Sequence, residues 1–319
     1  GSSVAASVAI GGVLIPMEEK EGYDKKFAAA VNIASAPTGL IIPPSGILII
    51  YPVLAGCSVV GMIMSGYIPG LMGALACMVV AYVIAKKNHY STAGKVPASV
   101  FFKYFVDAIP SLLLIVIIVG GVMSGIFTAT ESAAVAVAYT LFLSIVVYRS
   151  IKIKDLPKIL LDACETTAVI MFLIAGSNVM SFVMSFTGLP SAIGNALISV
   201  SSNKYVILLI INLVLLVVGC FMDITPAVLI FTPIFLPVVQ SFGMDPIHFG
   251  IMMVMNLGIG NITPPVGSAL FSGCSVADMD MEDMIKPILP FYAAIFVALM
   301  LVAYVPWFSM ALPTLFGAV

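Results

Sequence analysis

The sequences GLIIPPSGIL (residues 39–48) and GNITPPVGSA (residues 260–269) each set a Pro-Pro pair between two glycines inside apolar sequence. A proline inside a helix removes a backbone donor and clashes with the preceding turn, so two in succession end a helical segment. The second proline suits the first position of a new segment. Each sequence therefore predicts an apolar helix that is broken midway, with a half-helix starting at Pro44 or Pro265.

The composition is that of a membrane protein. Of the 319 residues, 61% are hydrophobic and 9% charged, against about 25% charged in soluble domains. The net charge of −2 gives no indication of a nucleic-acid partner, and the five cysteines lack metal-site or disulfide spacing. Residues 97–109 are predicted to form a separate interfacial helix. Membrane-crossing helices are predicted at 68–86, 110–127, 131–148, 159–187 and 287–310.

The two broken segments belong to an internal repeat. An offset of 221 residues, which carries Pro43 onto Pro264, also superposes the glycines of the two quoted sequences and carries Asp24 onto Asp245. Matched prolines, glycines and an acidic residue in one register are hard to obtain by chance, even in a chain of such low complexity. The sequence therefore predicts two copies of one structural unit.

The lysines predict that the second copy is inverted. The loop at 18–26 carries three lysines, whereas its equivalent in the second copy has no Lys or Arg, and both residue types concentrate in cytoplasmic loops. Five crossings are predicted between the copies, an odd number. We therefore treat residues 204–240 as a hairpin that enters the membrane from the outer side and returns to it. Twelve of the thirteen Lys and Arg, including Lys95, then lie on the cytoplasmic side, and only Lys204 lies on the outer side.

The breaks are predicted to line a polar cavity, because unpaired backbone groups cannot face lipid. A simple proline kink is the alternative for one break, but two equivalent breaks in inverted repeats are typical of secondary transporters. The hairpin tips at 1–3 and 222–225 and the breaks offer hydroxyls, amides, carbonyls and one carboxylate, Asp223. Such oxygen ligands suit Na⁺. An intramembrane carboxylate is costly and so indicates function, although Asp223 could instead cap the helix that follows it.

Other polar residues at membrane depth have simpler interpretations. Glu131 is predicted to cap the helix that follows Thr128, and Asn178 and Asn212 are predicted to link helices. The sequence has no Lys or Arg at membrane depth. An anionic substrate would therefore be held by half-helix N-termini, hydroxyls, amides and nearby Na⁺.

Five runs of sequence, taken in order, resemble the large membrane (M) subunit of tripartite ATP-independent periplasmic (TRAP) transporters. They are SAPTGLIIPPSGILIIY, SGYIPGLM, GIFTATESAAVAVAY, FMDITPAVLIFTPIFLPV and DPIHFGIMMVMNLGIGNITPPVGSALF. The resemblance implies an all-α polytopic membrane protein of the ion-transporter superfamily, with inverted repeats, re-entrant hairpins and an elevator mechanism. The implied parts are 1–67 (first hairpin arm and broken helix), 68–158 (scaffold and linking helices), 159–280 (second hairpin and broken helix) and 281–319 (C-terminal helix).

The resemblance implies Na⁺-coupled uptake of an organic acid, of the sialic acid or C4-dicarboxylate type, across the bacterial inner membrane, and no enzymatic activity. The implied partners, besides the lipid bilayer, are a small membrane (Q) subunit and a periplasmic substrate-binding (P) protein. Family members carry further helices before the sequence GSSVA, so an N-terminal part is expected to precede it. The alternative is a Na⁺/divalent anion symporter of the same architecture that needs no binding protein.

The resemblance also assigns site residues, because each hairpin tip of that fold faces a break. Two sodium sites would form, and the second should bind more tightly because it holds the only carboxylate. The implied Na⁺ ligands are Ser2, Ser35, Thr38 and Gly39 in the first site and Asp223, Thr225, Asn256 and Gly260 in the second. The substrate between them would contact Ser3, Pro44, Ser45, Asn261, Thr263 and Pro265.

Overall fold

Regular structure is helical throughout the part of the chain that the computed structural model describes, namely residues 1–90, 97–189, 192–194, 196, 201 and 203–318. Within that part, seven helical stretches are long and apolar enough to cross a membrane, by length and composition. This confirms the predicted all-α polytopic membrane protein. Lys95 falls outside the described residues.

The helices follow in three groups along the chain. The first group is α1 (Ser3–Lys20), α2 (Lys25–Ser35), α3 (Thr38–Ile41), α4 (Ile47–Ala55), α5 (Val59–Ser65) and α6 (Tyr67–Lys87). The second is α7 (Ala98–Met123), α8 (Ala129–Phe142), a π-helical turn (Leu143–Val147), a 3₁₀ turn (Ile153–Asp155) and α9 (Leu156–Thr187). The third is α10 (Lys204–Phe221), α11 (Ile224–Ser241), α12 (Pro246–Gly260), α13 (Ser268–Val276), α14 (Met281–Tyr304) and α15 (Trp307–Leu315).

The helix boundaries repeat at the offset found in the sequence. Helices α1 and α11 begin and end at equivalent positions, and so do α4 and α13. Helices α2 and α12 begin at equivalent positions. Asp24 and Asp245 are both N-caps, whose carboxylates accept from the backbone amides of Lys26 and Ile247 at 3.2 and 2.7 Å. The Pro43-Pro44 and Pro264-Pro265 bonds are both cis. The internal repeat is therefore structural as well as sequential.

The two repeats pack against each other in a crossed manner. Helix α1 contacts α13 of the other repeat, and α11 contacts α4. The equivalent residues Pro37 and Gly258 face each other, since a Cβ added to Gly258 would lie 3.3 Å from that of Pro37. Contact between equivalent positions is the mark of a two-fold relation. The chain divides into two compact units, and one of them, Gly1–Ser91 with Ser177–Val319, contains both repeats.

The other unit, Thr92–Gly176, corrects one prediction and confirms another. The interfacial helix predicted at 97–109 and the span predicted at 110–127 are one helix, α7, that continues through Pro110. Prolines are tolerated in membrane helices where neighbouring groups satisfy the freed backbone. The helix ends four residues early because Gly125 takes a left-handed conformation, with φ of 72°. Glu131 forms the predicted cap, since its carboxylate accepts from the Thr128 backbone amide at 2.8 Å.

The C-terminal region corrects two further predictions. A span was predicted at 287–310 within a single helix at 281–319, but two helices form, α14 and α15. Helix α14 begins before Pro287 because Asp280, Glu282 and Asp283 place acidic groups at its positive end. It ends at Tyr304 because a residue that precedes a proline, here Val305, is pushed out of the helical conformation. The functional division at 67/68, 158/159 and 280/281 stays a prediction.

We expect Gly250→Ala to destabilise the fold. Gly250 of α12 packs on Tyr51 of α4, which is fully buried and donates its hydroxyl to the Pro246 carbonyl at 2.6 Å. A Cβ at position 250 would lie 2.3 Å from the Tyr51 ring, and such overpacking costs about 1–3 kcal/mol. The measurement is the thermal stability of the detergent-purified protein.

The matched control is Gly12→Ala in α1, where the added Cβ would meet Val276 at an ordinary 3.7 Å. Alanine is also the better helix former, so this variant should be at least as stable as the parent. Equal stability of the two variants would contradict the packing described.

Candidate ion and substrate site

The N-terminal tip, residues 1–3, lies between the two helix breaks. Ser3 is buried, and its Oγ accepts from Asn261 Nδ2 of the second break at 2.8 Å. Gly1 lies against the first break, since a Cβ added there would be 3.1 Å from Ser45 Cα and 3.2 Å from the Pro44 carbonyl oxygen. Residues predicted to touch substrate from three parts of the chain thus meet at one place.

Asn261 connects this tip to the half-helix that follows the second break. It is buried at the end of α12, and its Oδ1 accepts from the Ser268 hydroxyl at the start of α13. Its backbone carbonyl accepts from the amides of Ala269 and Leu270 at 3.1 and 3.4 Å. One side chain therefore links the first tip, the second break and α13.

The second hairpin reaches the second break through backbone contacts. The Cys220 carbonyl near the end of α10 accepts from the amides of Val266 and Gly267 at 3.3 and 3.2 Å. Gly219 and Gly260 touch directly, and a Cβ at Gly260 would lie 2.6 Å from the Gly219 carbonyl carbon. Glycine is required at position 260 because the two backbones leave no room for a side chain.

Two buried oxygens at the breaks have no hydrogen-bond partner among the described residues, Ser45 Oγ and Asn256 Oδ1. Asn256 is fully buried and donates Nδ2 to the backbone carbonyl and the Oδ1 of Asn212, at 2.9 and 2.7 Å. An unsatisfied buried polar group costs about 1–3 kcal/mol. These oxygens are therefore suited to a ligand, and the amide pair holds Asn256 Oδ1 in a fixed direction.

Two predicted Na⁺ ligands, Ser35 and Thr38, and the predicted substrate residue Thr263 use their hydroxyl protons on the backbone. Ser35 and Thr38 donate to the carbonyls of Asn32 and Ser35, at 3.0 and 2.6 Å, and Thr263 donates to Ile259 at 2.7 Å. Because each hydroxyl donates its only proton to a backbone carbonyl, its oxygen can take part in a further contact only as an acceptor. Lone pairs of this kind fit a hard cation such as Na⁺.

The remaining predicted residues are more exposed. Ser2 is the N-cap of α1 and accepts from the Ala5 amide at 3.3 Å, while Pro44 and Pro265 are exposed and Gly39 and Thr225 half-buried. Asp223 is exposed at the N-cap position of α11, but its side chain makes no capping hydrogen bond. Asp223 therefore occupies the capping position without the hydrogen bonds that the capping alternative requires. Within the described residues, no hydrogen bond joins Asp223 or Thr225 to the other predicted ligands.

Three residues near the site were missed by sequence reasoning. Asn32 donates to the Ser7 carbonyl at 2.8 Å and so fixes α1 on α2. Tyr292 of α14 donates to the Ile262 carbonyl in the second break, and Ser177 donates to the Leu229 carbonyl of α11. Ser177 makes the helix link that was predicted for its neighbour Asn178, which is exposed. An offset comparison could not find Asn32, whose equivalent is Met253.

A tip at residues 1–3 that lies between two helix breaks of a polytopic membrane protein is typical of a membrane transport protein. The sequence model of the family described as "Tripartite ATP-independent periplasmic transporter, DctM component" matches residues 1–308. The chain belongs to this family of transporter permeases and is not an enzyme. This confirms the resemblance noted in the sequence.

Relatives match along almost the whole chain. It is 50% identical over 318 residues to the uncharacterized protein YgiK of Salmonella typhimurium, covering 99% of this chain and 73% of YgiK. It is 37% identical over 317 residues to the C4-dicarboxylate TRAP transporter large permease protein DctM of Pseudomonas aeruginosa, and 38% identical over 316 residues to the sialic acid TRAP transporter large permease protein SiaM of Vibrio cholerae. Those two matches cover 99% of this chain and 74% of each relative. A tripartite family with a large permease implies a small membrane subunit and a periplasmic binding protein as partners.

We expect Asn261→Ala to loosen the N-terminal tip. The variant removes the donor that holds Ser3, so the backbone amides of residues 3–10 should exchange with deuterium about fivefold faster, as expected for the loss of about 1 kcal/mol. Hydrogen–deuterium exchange with mass spectrometry measures the effect.

Ser268→Ala is the matched control, because it removes the other side-chain partner of Asn261 and leaves the bond to Ser3 in place. Its exchange over residues 3–10 should equal that of the parent. If both variants accelerate exchange alike, the Ser3–Asn261 bond does not hold the tip.

Proposed function

We propose that this chain is the substrate-carrying membrane subunit of a Na⁺-coupled uptake system for an organic acid in the bacterial inner membrane. Substrate would be delivered by a periplasmic binding protein, and the chain would work together with a small membrane subunit. One observation carries the proposal: the tip at residues 1–3 touches both breaks, through Ser3–Asn261 and Gly1–Ser45.

The chemistry around that meeting point favours a carboxylate. Ser45 offers a free hydroxyl, and Asn261 offers the amide hydrogen that it does not give to Ser3, near the starts of the half-helices α4 and α13. Helix N-termini carry partial positive charge and stabilise anions. No Lys or Arg lies among these residues, so a bound carboxylate would depend on these dipoles and on cations carried with it. The relatives named for C4-dicarboxylate and sialic acid have carboxylate-bearing substrates in common.

Sodium is the proposed co-transported ion. Asn256 Oδ1, the hydroxyl lone pairs of Ser35 and Thr38, and the break carbonyls are neutral oxygen donors of the kind that bind hard cations. Asp223 adds one carboxylate at the tip of the second hairpin. A Na⁺ ion beside each break would offset the negative charge of the substrate, which would couple the two binding events.

An elevator movement is the proposed route across the membrane. The crossed packing of α1 on α13 and of α11 on α4 joins both repeats in a single compact unit. Both breaks and both tips belong to that unit. The whole site would therefore travel as one body, which is the requirement of an elevator mechanism.

The test is uptake by proteoliposomes that contain the chain with its small membrane subunit. Labelled dicarboxylates and sialic acid are supplied with and without an inward Na⁺ gradient and the binding protein. We expect uptake of one acid only when both are present. Uptake without the binding protein would instead favour a symporter of the same architecture, and uptake without Na⁺ would reject the coupling.

We expect Asp223→Asn to raise the Na⁺ concentration for half-maximal uptake by at least about tenfold, because ligand charge sets the affinity of such ion sites. Ser2→Ala, which removes a neutral ligand of the other predicted site, should raise it less. The measurement is initial uptake rate against Na⁺ concentration in proteoliposomes with equal amounts of folded protein.

Asp280→Asn is the matched control. Asp280 occupies the N-cap position of α14 and, like Asp223, makes no side-chain capping bond. Its neutralisation should leave the Na⁺ dependence unchanged. An unchanged Na⁺ dependence in Asp223→Asn would remove that residue from the ion site.

A further inference from the structure

A cavity lies at the base of the hairpin formed by α10 and α11, at the end away from its tip. Its volume is about 230 Å³, and its wall includes Lys204, Tyr205, Asp245, His248 and Tyr304. None of these residues belongs to the ion and substrate site. The cavity therefore requires an explanation of its own.

The cavity presents one positive and one negative group that do not pair with each other. Lys204 Nζ lies 5.2 Å from the centre of the Tyr205 ring. Asp245 is fixed at the start of α12, where its Oδ1 accepts from the Ile247 amide at 2.7 Å. Among the described residues, neither side chain has an ion-pair partner within 4 Å. A ligand that carries both signs of charge matches this arrangement.

The aromatic residues at this cavity are of the kinds that concentrate at the membrane–water interface. Tyr205 and Tyr304 meet edge to face at 5.8 Å, and the Tyr304 hydroxyl donates to the Tyr205 carbonyl at 3.2 Å. Trp307, the only tryptophan of the chain, is exposed just beyond Tyr304. Tyr and Trp concentrate at the membrane–water interface. A lipid is therefore a closer match to this location than a soluble molecule.

The inner wall of the cavity is mainly apolar, and one hydrogen bond holds two of its helices together. His248 is buried and its Nε2 bonds the Val302 carbonyl at 2.8 Å, which ties α12 to α14. Leu208 and Val239 complete the wall beside it. Such a wall suits the glycerol and first acyl carbons of a lipid.

We propose that this cavity binds a phospholipid with a zwitterionic, ethanolamine-type headgroup. Lys204 would contact the phosphate and Asp245 the ammonium group, with the acyl chains leaving along the apolar wall. The lipid would brace the base of the second hairpin against α14. This site does not depend on the proposed transport activity.

The experiment measures binding of four probes to the detergent-purified complex by thermal shift and native mass spectrometry. The probes are short-chain phosphatidylethanolamine, short-chain phosphatidylglycerol, free phosphoethanolamine and inorganic phosphate. We expect the ethanolamine lipid to bind most tightly. Lys204→Gln should weaken binding of both lipids about fivefold, the effect of one lysine near a membrane surface.

Asp245→Asn gives the sharper test. Asparagine is also a good N-cap, so α12 should remain intact while the negative charge is lost. The preference for the ethanolamine lipid over the glycerol lipid should disappear. Lys87→Gln, at the exposed end of α6, is the control and should bind both lipids like the parent.

Three results would overturn the proposal: parental lipid binding in Lys204→Gln, a retained headgroup preference in Asp245→Asn, or binding of phosphoethanolamine or phosphate as tight as that of the lipid. The last would indicate a site for a soluble ligand. Because every readout is binding, failure of this proposal is distinct from failure of Na⁺-coupled uptake.

Discussion

Backbone amides and carbonyls that are not hydrogen-bonded within a helix must find partners elsewhere in the protein when they lie inside a membrane, because lipid offers none. The two Pro-Pro breaks create this requirement, and the surrounding structure answers it. Asn261 and Tyr292 bond the second break, the Cys220 carbonyl accepts two of its amides, and the N-terminal tip packs on the first. The hairpins, the glycine contact and the polar cluster are all consequences of these interruptions.

The two-fold relation between the repeats explains why both breaks lie near the same tip. Equivalent residues Pro37 and Gly258 touch, so the symmetry axis passes between the two broken helices. Helices α1 and α11 each pack on the half-helix of the other repeat. Because Ser3 of the first repeat bonds Asn261 of the second, a site between the breaks is held by both repeats.

The sequence predicted those features that depend on local chemistry. The offset of 221 residues predicted the internal repeat, and the Thr128–Glu131 cap followed from spacing alone. The predicted half-helix starts at Pro44 and Pro265 were wrong, because the half-helices begin three residues later, at Ile47 and Ser268. Contacts between distant segments could not be predicted, because nothing local to Ser3 or Asn261 indicates that they meet. The error at α7 arose because residues 97–109 mix aromatic residues with Lys103 and Asp107, which is typical of an interfacial helix, whereas the structure continues this stretch into the apolar sequence that follows.

The near-symmetry of the breaks ends at Ser45, whose equivalent is Val266. Ser45 is 3% exposed with a free hydroxyl, whereas Val266 is 50% exposed and apolar. Equivalent positions of the two breaks therefore offer chemically different surroundings. The scaffold is nearly two-fold, but one break presents a buried hydroxyl where the other presents an exposed apolar side chain.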